Sequence, residues 1–167
     1  LSNLPGRAPG DVPQGAAVVG GEAGFYGEGC HLGSSRRQRG YAAGLHIEDQ
    51  VQSKRCGHRP GKEVVPRDEM VDRVKAAVDA RIDPDLMILA RTDARAVEGF
   101  EAALDRARAY QEAGADFLFV EAPLTKEELL AIPREVPGIH LCNMVIGGKT
   151  PLLPREELAK AGYAVIC

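Results

Sequence analysis

Residues 86–123 of the sequence read LMILARTDARAVEGFEAALDRARAYQEAGADFLFVEAP and contain two short apolar runs on either side of one amphipathic segment. The runs at 86–90 and 116–120 have the length and the continuous apolar character of strands that are buried on both faces of a sheet. Between them, the stretch 98–114 repeats its apolar residues at the spacing of one helix face: Phe100, Leu104 and Ala107. Gly114 then stands where a helix commonly ends. The order strand, helix, strand predicts a parallel pair of strands joined by a helical crossover.

The same alternation continues on both sides of this unit. Three further apolar runs are predicted to be strands: 44–48, 139–143 and 163–167. Three further segments are predicted to be helices: 67–80, a helix that begins at a capping box of Thr125 and Glu128, and a helix from Pro154 to Lys160 that ends at Gly162. The order βαβαβαβαβ is typical of an α/β fold with a parallel sheet and right-handed crossovers, either a doubly wound layer or a β/α barrel.

The glycine content divides the chain near residue 40. Ten of the nineteen glycines lie in residues 1–40, where no helical or strand pattern persists beyond one short apolar run. We therefore expect residues 1–40 to be an irregular lead-in and residues 41–167 to form one β/α domain.

The overall composition argues against several classes of function. A formal net charge of -3 gives no basic footprint for nucleic acid, and no apolar run approaches the roughly 20 residues of a membrane helix. The four cysteines are widely spaced and form neither a dense disulfide framework nor a CxxC pair. We therefore expect a protein of the reducing cytoplasm that has neither nucleic acid nor a membrane as its partner.

Polar side chains follow four successive apolar runs at the point where each predicted strand ends. They are Glu48 with Asp49, Arg91 with Asp93, then Glu121, and then Asn143. The carboxyl ends of parallel strands are where β/α folds build their active sites, so these groups are predicted to meet at one edge of the sheet. The alternative is that each polar residue only marks the end of its strand.

The stretch 50–66 carries no periodicity and contains the sequence KRCGH. Cationic groups at Lys54, Arg55 and His58 would favour the thiolate of Cys56 and lower its pKa below the ordinary value of about 8.5. Gly57 would allow the backbone to approach a ligand closely. Cys56 is therefore a candidate acid or base on a loop, with a structural cysteine in a basic surface loop as the alternative. A zinc site that joins Cys56 and His58 to Cys30 and His31 has no standard ligand spacing to support it.

Five motifs together resemble the isocitrate lyase and phosphoenolpyruvate mutase superfamily, and within it the methylisocitrate lyases and related 2-alkylmalate lyases. The motifs are GLHIEDQV at 44–51, KRCGH at 54–58, ARTDA at 90–94, VEAP at 120–123 and NMVIGGKTP at 143–151. The resemblance implies part of a (β/α)8 barrel of the TIM type, with the subunits assembled as a homo-oligomer, commonly a tetramer. It also implies a Mg²⁺-dependent carbon–carbon lyase acting on a small 2-hydroxy acid.

The resemblance assigns roles to the residues at matching positions. Glu48 corresponds to a carboxylate that holds Mg²⁺, largely through water, and Cys56 corresponds to the catalytic acid. Lys54, Arg55, Gly57 and His58 accompany Cys56 on a mobile loop. Arg91 corresponds to a residue that contacts the substrate carboxylate, Glu121 to a charge partner and Asn143 to a substrate-binding amide.

The implied reaction is a retro-aldol cleavage of a 2-hydroxy-carboxylate, of the 2-methylisocitrate or 2-alkylmalate type, to a 2-oxo acid and a second carboxylate. Mg²⁺ would chelate the substrate, and Cys56 would protonate the carbanion. Other activities of the superfamily remain alternatives: a carboxyvinyl-carboxyphosphonate phosphorylmutase or an oxaloacetate-cleaving type.

Two features depart from the superfamily pattern. The expected D-x-D-T-G motif, whose carboxylates supply the main metal contacts, would fall about thirty residues before Glu48, where the chain reads VVGGEAGFYGEG at 18–29. That stretch has no Asp pair, and its acidic residues are Glu22 and Glu28. The sequence also reaches Cys167 in what is predicted to be a late strand. We therefore expect a fragment of the barrel, and a catalytically inactive fragment is a further alternative.

Overall fold

The structure, a computed structural model, describes residues 43–51 and 61–167. This part of the chain contains five strands and four helices in alternation, with one short 3₁₀ turn. The strands are β1 Gly44–Glu48, β2 Met87–Thr92, β3 Phe117–Val120, β4 His140–Cys142 and β5 Tyr163–Ile166. The helices are α1 Arg67–Ala80, α2 Phe100–Glu112, α3 Lys126–Glu135 and α4 Arg155–Ala161, and the 3₁₀ turn is Ala94–Ala96.

The sheet has the strand order β1-β2-β3-β4-β5, and every pair is parallel. Each strand therefore lies beside the one before it, and the order does not reverse as it does in a doubly wound fold. Successive helices also contact one another, which is expected when all crossovers have the same hand and cover one face of the sheet. The described residues form part of a β/α barrel, as predicted.

The local signals for helix boundaries are confirmed. Helix α1 has the predicted bounds, and Gly114, with φ +105°, follows α2 in a left-handed conformation that suits glycine. Thr125 caps α3 by accepting a 3.1 Å hydrogen bond from the backbone N–H of Glu128. Gly162 ends α4 with φ +110°.

The second strand extends further than its apolar run. The pattern predicted a strand over 86–90, but β2 includes Arg91 and Thr92 because both residues pair with neighbouring strands. Arg91 is in register with Glu48 of β1, and Thr92 is in register with Val120 of β3. Pairing on both sides thus keeps a polar residue in the strand, which local hydrophobicity does not indicate.

The main hydrophobic core lies between the sheet and helices α1 and α2. Its buried members include Ala90 and Leu118 from the sheet, Val74 from α1, and Leu104 and Tyr110 from α2. Because successive strand residues point to opposite faces, the residues between these core positions point away from the helices. That opposite face carries the polar groups described next.

Candidate active site

Three of the predicted site residues come together at the carboxyl edge of the sheet. Arg91 Nε lies 3.4 Å from Glu48 Oε2, and Arg91 Nη2 lies 3.7 Å from Glu121 Oε2. The register explains this arrangement, because Glu48 is opposite Arg91, and Arg91 is opposite Phe119, two residues before Glu121. Side-chain exposure is 5% for Arg91, 15% for Glu48 and 2% for Glu121, so the cluster is largely shielded from water.

Arg91 is held from two further directions. Its Nε and Nη2 donate hydrogen bonds of 2.8 and 3.2 Å to the two carboxylate oxygens of Asp93. The Phe119 ring lies below the guanidinium, with its centroid 5.1 Å from the central carbon. Burial alone would lower the pKa of Arg91, but the charges of Glu121, Asp93 and Glu48 outweigh it and raise that pKa. Arg91 is therefore a fixed cation that can bind an anion.

Asp93 has a second cationic partner that sequence analysis missed. Lys62 Nζ donates a 2.8 Å hydrogen bond to Asp93 Oδ1, and both side chains are almost completely buried. Burial would raise the pKa of Asp93, but the hydrogen bonds and charges of Arg91 and Lys62 outweigh it and lower that pKa. Lys62 lies in a stretch without periodicity, so the sequence carried no signal for this contact.

The adjacent carboxylates Glu48 and Asp49 point in opposite directions, as strand alternation requires. Asp49 faces the helices, where its Oδ2 accepts a 2.8 Å hydrogen bond from the Tyr110 hydroxyl and lies 3.4 Å from Arg106 Nη1. Its Oδ1 accepts a 2.9 Å bond from the backbone N–H of Asp93. Burial raises the pKa of Asp49, and the bonds from Asp93, Tyr110 and Arg106 oppose this shift only in part. Asp49 thus holds the backbone of Asp93 from the helix-covered side of the sheet.

Asn143, the fourth predicted residue at this edge, is half-buried after β4. The Sγ of Cys167 lies 3.9 Å from Asn143 Oδ1. Burial raises the pKa of the Cys167 thiol, and the charge of Glu121 adds to this effect. The structure therefore brings Asn143 to the predicted edge but not into direct contact with Arg91.

The residues of the KRCGH motif, Lys54, Arg55, Cys56, Gly57 and His58, lie outside the described residues. The segments on either side of 52–60 are paired with each other at the end of β1. Val51 N donates to Glu63 O over 3.1 Å, Val65 N donates to Asp49 O over 2.8 Å, and Gln50 forms an antiparallel bridge with Val64. The two flanks of the motif are thus anchored beside the cluster around Arg91.

The turn after β3 holds a residue in an unfavourable conformation. Ala122, which follows Glu121, is buried and has φ +54°, a left-handed value that costs an L-residue energy. The turn is braced by Glu128, which accepts a 2.8 Å hydrogen bond from the backbone N–H of Leu124 and a two-pronged ion pair from Arg95. Strain of this kind, next to a buried carboxylate, is a feature of functional sites.

A metal cluster is not preformed in the part of the chain that the structure describes. Residues 43–51 and 61–167 contain no group of three or more His, Cys, Asp or Glu side chains placed to hold an ion. Glu48, the predicted Mg²⁺ ligand, offers a carboxylate whose side chain is 15% exposed. A single carboxylate fits Mg²⁺, which often keeps several waters and takes one or two protein carboxylates.

None of the helices within the described ranges has both the length and the apolar character needed to cross a bilayer.

The family described as phosphoenolpyruvate phosphomutase matches residues 22–167. The chain belongs to this family. The match begins inside the stretch 1–40 that was expected to be a lead-in, and the domain boundary near residue 40, which lies outside the described residues, stays a prediction.

Curated relatives of this phosphoenolpyruvate phosphomutase family chain include lyases. The 2,3-dimethylmalate lyase of Eubacterium barkeri is 52% identical over 121 residues, which cover 72% of this chain and 42% of the relative. The 2-methylisocitrate lyase of Salmonella typhimurium strain LT2 is 57% identical over 126 residues, which cover 74% of this chain and 42% of the relative. The chain thus spans about two fifths of the length of these relatives.

The crystal structure of a 2,3-dimethylmalate lyase, a member of the PEP mutase/isocitrate lyase superfamily, has a similar fold. It matches with a TM-score of 0.72 and 41% identity, covering 75% of this chain and 42% of that one. The expected superfamily and barrel type are therefore confirmed.

Proposed function

We propose that the chain functions as a Mg²⁺-dependent carbon–carbon lyase that cleaves a 2-hydroxy-carboxylate of the 2-methylisocitrate or 2-alkylmalate type. The products are a 2-oxo acid and a second carboxylate. The observation that carries this proposal is the buried guanidinium of Arg91, held between Glu48 and Glu121 at the carboxyl edge of a parallel sheet. The lyase names of relatives with more than half of their aligned residues identical support the same reaction class.

The charges around Arg91 support a requirement for a divalent cation. Among the described residues, the cluster contains two cations, Arg91 and Lys62, and three carboxylates, Glu48, Asp93 and Glu121, which leaves one net negative charge. An anionic 2-hydroxy acid would be repelled by this cluster unless further positive charge accompanied it. Mg²⁺ held by Glu48, with Lys54 and Arg55 of the KRCGH motif, would supply that charge. Bound there, the ion would also act as a Lewis acid on the hydroxyl and carboxylate oxygens of the substrate.

The residues of the chain then have separate tasks. Arg91 binds and orients a substrate carboxylate, because its charge is permanent and its position is fixed. Glu121, 3.7 Å from Arg91, is a charge partner on the far side, and the amide of Asn143 is a substrate donor at the end of the next strand. Cys56 is the acid that protonates the departing carbanion at carbon, with Lys54, Arg55, Gly57 and His58 shaping its surroundings.

A substrate panel tests this function. The purified chain is incubated with 2-methylisocitrate, 2,3-dimethylmalate, isocitrate or oxaloacetate, and the release of pyruvate or glyoxylate is followed with and without Mg²⁺. We expect turnover that EDTA abolishes and that is lost in Cys56→Ala but retained in the matched variant Cys30→Ala. Equal activity of both cysteine variants would contradict the role of Cys56.

The same panel separates the alternatives. Turnover of oxaloacetate alone would assign the chain to an oxaloacetate-cleaving branch, and conversion of a phosphonate substrate alone would assign it to the phosphorylmutases. No turnover, together with no effect of Mg²⁺ or ligand on stability, would identify an inactive chain, as the absent Asp pair before Glu48 suggests. Assembly into a homo-oligomer, a tetramer by family resemblance, and a cytoplasmic location are further parts of the proposal. Sedimentation velocity and cell fractionation test them.

A further inference from the structure

Asp93 is a fully buried carboxylate that binds both Arg91 and Lys62 at this edge, although the proposed chemistry gives it no contact with the substrate. Its two carboxylate oxygens accept three hydrogen bonds, two from Arg91 and one from Lys62. Its backbone N–H donates to Asp49 Oδ1. Its side chain has no exposed surface.

We propose that Asp93 is a positioning residue that fixes the rotation of the Arg91 guanidinium within its plane, so that Arg91 meets an anionic substrate in one orientation. This inference rests on the proposed function, because it assigns a purpose to Arg91. Lys62 and Asp49 serve the same purpose indirectly, since they hold the carboxylate and the backbone of Asp93, respectively.

The geometry restricts Arg91 in two independent ways. The paired contacts with Asp93 occupy Nε and Nη2, which fixes the rotation of the guanidinium within its plane. The Phe119 ring covers one face and fixes the tilt of that plane. Within residues 43–51 and 61–167, the ion pairs of Arg91 with Asp93, Glu48 and Glu121 involve Nε and Nη2.

Asp93 can fix this rotation because it is itself held at two points. Lys62 Nζ binds the carboxylate from the segment that leads into α1, at 2.8 Å. Asp49 binds the backbone N–H at 2.9 Å and is in turn bound by Tyr110 and Arg106 of α2. Rotation of the Asp93 side chain would therefore break its contacts with both Arg91 and Lys62.

The energetics favour positioning over stability as the reason for this network. Burying several charges costs desolvation energy that their mutual attraction barely offsets, and apolar replacements of similar volume are often neutral or stabilising. A catalytic or binding side chain instead needs a fixed geometry, and a network of buried, fully paired charges at the carboxyl edge of the sheet provides it.

The first test compares Asp93→Asn with Asp116→Asn. Asp116 is a matched control at the opposite edge of the sheet, because it also binds an arginine, Arg81, and a backbone N–H, that of Ile88. The Nε–H signal of Arg91 is followed in arginine side-chain ¹⁵N–¹H spectra and is assigned as the signal that disappears in Arg91→Lys. Calorimetry measures the affinity for oxalate in the presence of Mg²⁺. We expect Asp93→Asn to shift the Arg91 signal and to weaken oxalate binding about 10-fold, which corresponds to the energy of about one charge-assisted hydrogen bond. Asp116→Asn should change neither the signal nor the affinity.

A double variant separates positioning from a general loss of structure. If Asp93 acts through Arg91, Asp93→Asn causes no further loss of oxalate affinity in an Arg91→Met background. Additive losses, or equal losses in Asp93→Asn and Asp116→Asn, would overturn the proposal. An unchanged Arg91 resonance in folded Asp93→Asn would overturn it as well.

Two further outcomes are distinguishable. A wild-type chain that binds no oxalate contradicts the proposed function, while the Arg91 resonance still decides whether Asp93 positions the guanidinium. If Asp93→Asn does not fold, Lys62→Met tests the same support from the other side and is expected to shift the Arg91 signal in the same direction. No shift there would overturn the proposal.

Discussion

The hydroxyl of Tyr110 donates a 2.8 Å hydrogen bond to Oδ2 of Asp49, and this bond joins helix α2 to the residue that follows β1. Asp49 in turn binds the backbone of Asp93, which orients Arg91. The core behind the sheet and the polar edge of the sheet are therefore connected by a short series of hydrogen bonds.

Tyr110→Phe should destabilise the protein by about 2 kcal/mol, because a buried carboxylate loses a side-chain donor that lies 2.8 Å away. The free energy of unfolding in urea measures this loss. Tyr163→Phe is the matched control, since its hydroxyl binds the neutral carbonyl of Leu129 at the same 2.8 Å distance. We expect a loss of about 1 kcal/mol there, and a control that loses more than Tyr110→Phe would contradict the importance of the charged acceptor.

The lowered pKa of Asp93 predicts a loss of stability in acid. Its contribution is fully present above the unfolded value of 3.8 and is lost as the pH falls from 3.8 through the lower pKa of the folded state. Urea midpoints of wild type and Asp93→Asn between pH 3 and pH 7 should therefore converge toward the acid end. A difference that stays constant below 3.8 would show that Asp93 is not the group responsible.

Asp49 should behave in the opposite sense. Because its pKa is raised by burial, its ionisation weakens the folded state as the pH rises from 3.8 through the higher folded pKa. Asp49→Asn, which keeps the shape and removes the charge, should show a smaller decline over that interval when urea midpoints are compared. An identical pH dependence in the two proteins would contradict an ionising Asp49.

Ala122→Gly should stabilise the protein by about 1 kcal/mol, because glycine adopts φ +54° without the steric cost that alanine bears. Gly114→Ala should act in the opposite direction, since φ is +105° there and a Cβ would lie 3.1 Å from Cγ2 of Val78. Thermal or urea unfolding of both variants tests the pair. A destabilised Ala122→Gly would mean that the turn after β3 is not strained.

Binding of Mg²⁺ and oxalate should move the urea transition to higher concentration. At 100 times the dissociation constant, a ligand that binds only the folded state adds about 2.7 kcal/mol. Arg91→Met should reduce the shift, whereas Arg73→Met, on the exposed face of α1, should retain it in full. If the urea midpoint of the wild-type chain does not change with Mg²⁺ and oxalate, the chain has no working anion site.

Local sequence signals predicted the elements well. The apolar repeat of α1, the cap at Thr125 and the left-handed Gly162 act within one or two turns of chain, so each could be read without knowledge of the fold. The polar residues after successive strands also indicated the correct edge, because parallel strands bring their carboxyl ends together.

Partners distant in sequence could not be predicted in the same way. Lys62 and Asp93 are separated by 31 residues, and Asp49 and Tyr110 by 61, so no local periodicity connects them. Arg106 and Tyr110 occur in a helix pattern where a cation and a hydroxyl suit the solvent face equally well. Only the packing of α2 against the end of β1 assigns them to a buried carboxylate.

The sequence by itself determined the alternation of strands and helices, the family motifs and the residues offered at the strand ends, because these depend on periodicity and local chemistry. The tertiary structure decided which face each carboxylate occupies and which cation it meets. The physical reason is that one residue along a strand reverses the direction of a side chain, so Glu48 joins Arg91 at the site while Asp49 joins Tyr110 in the core.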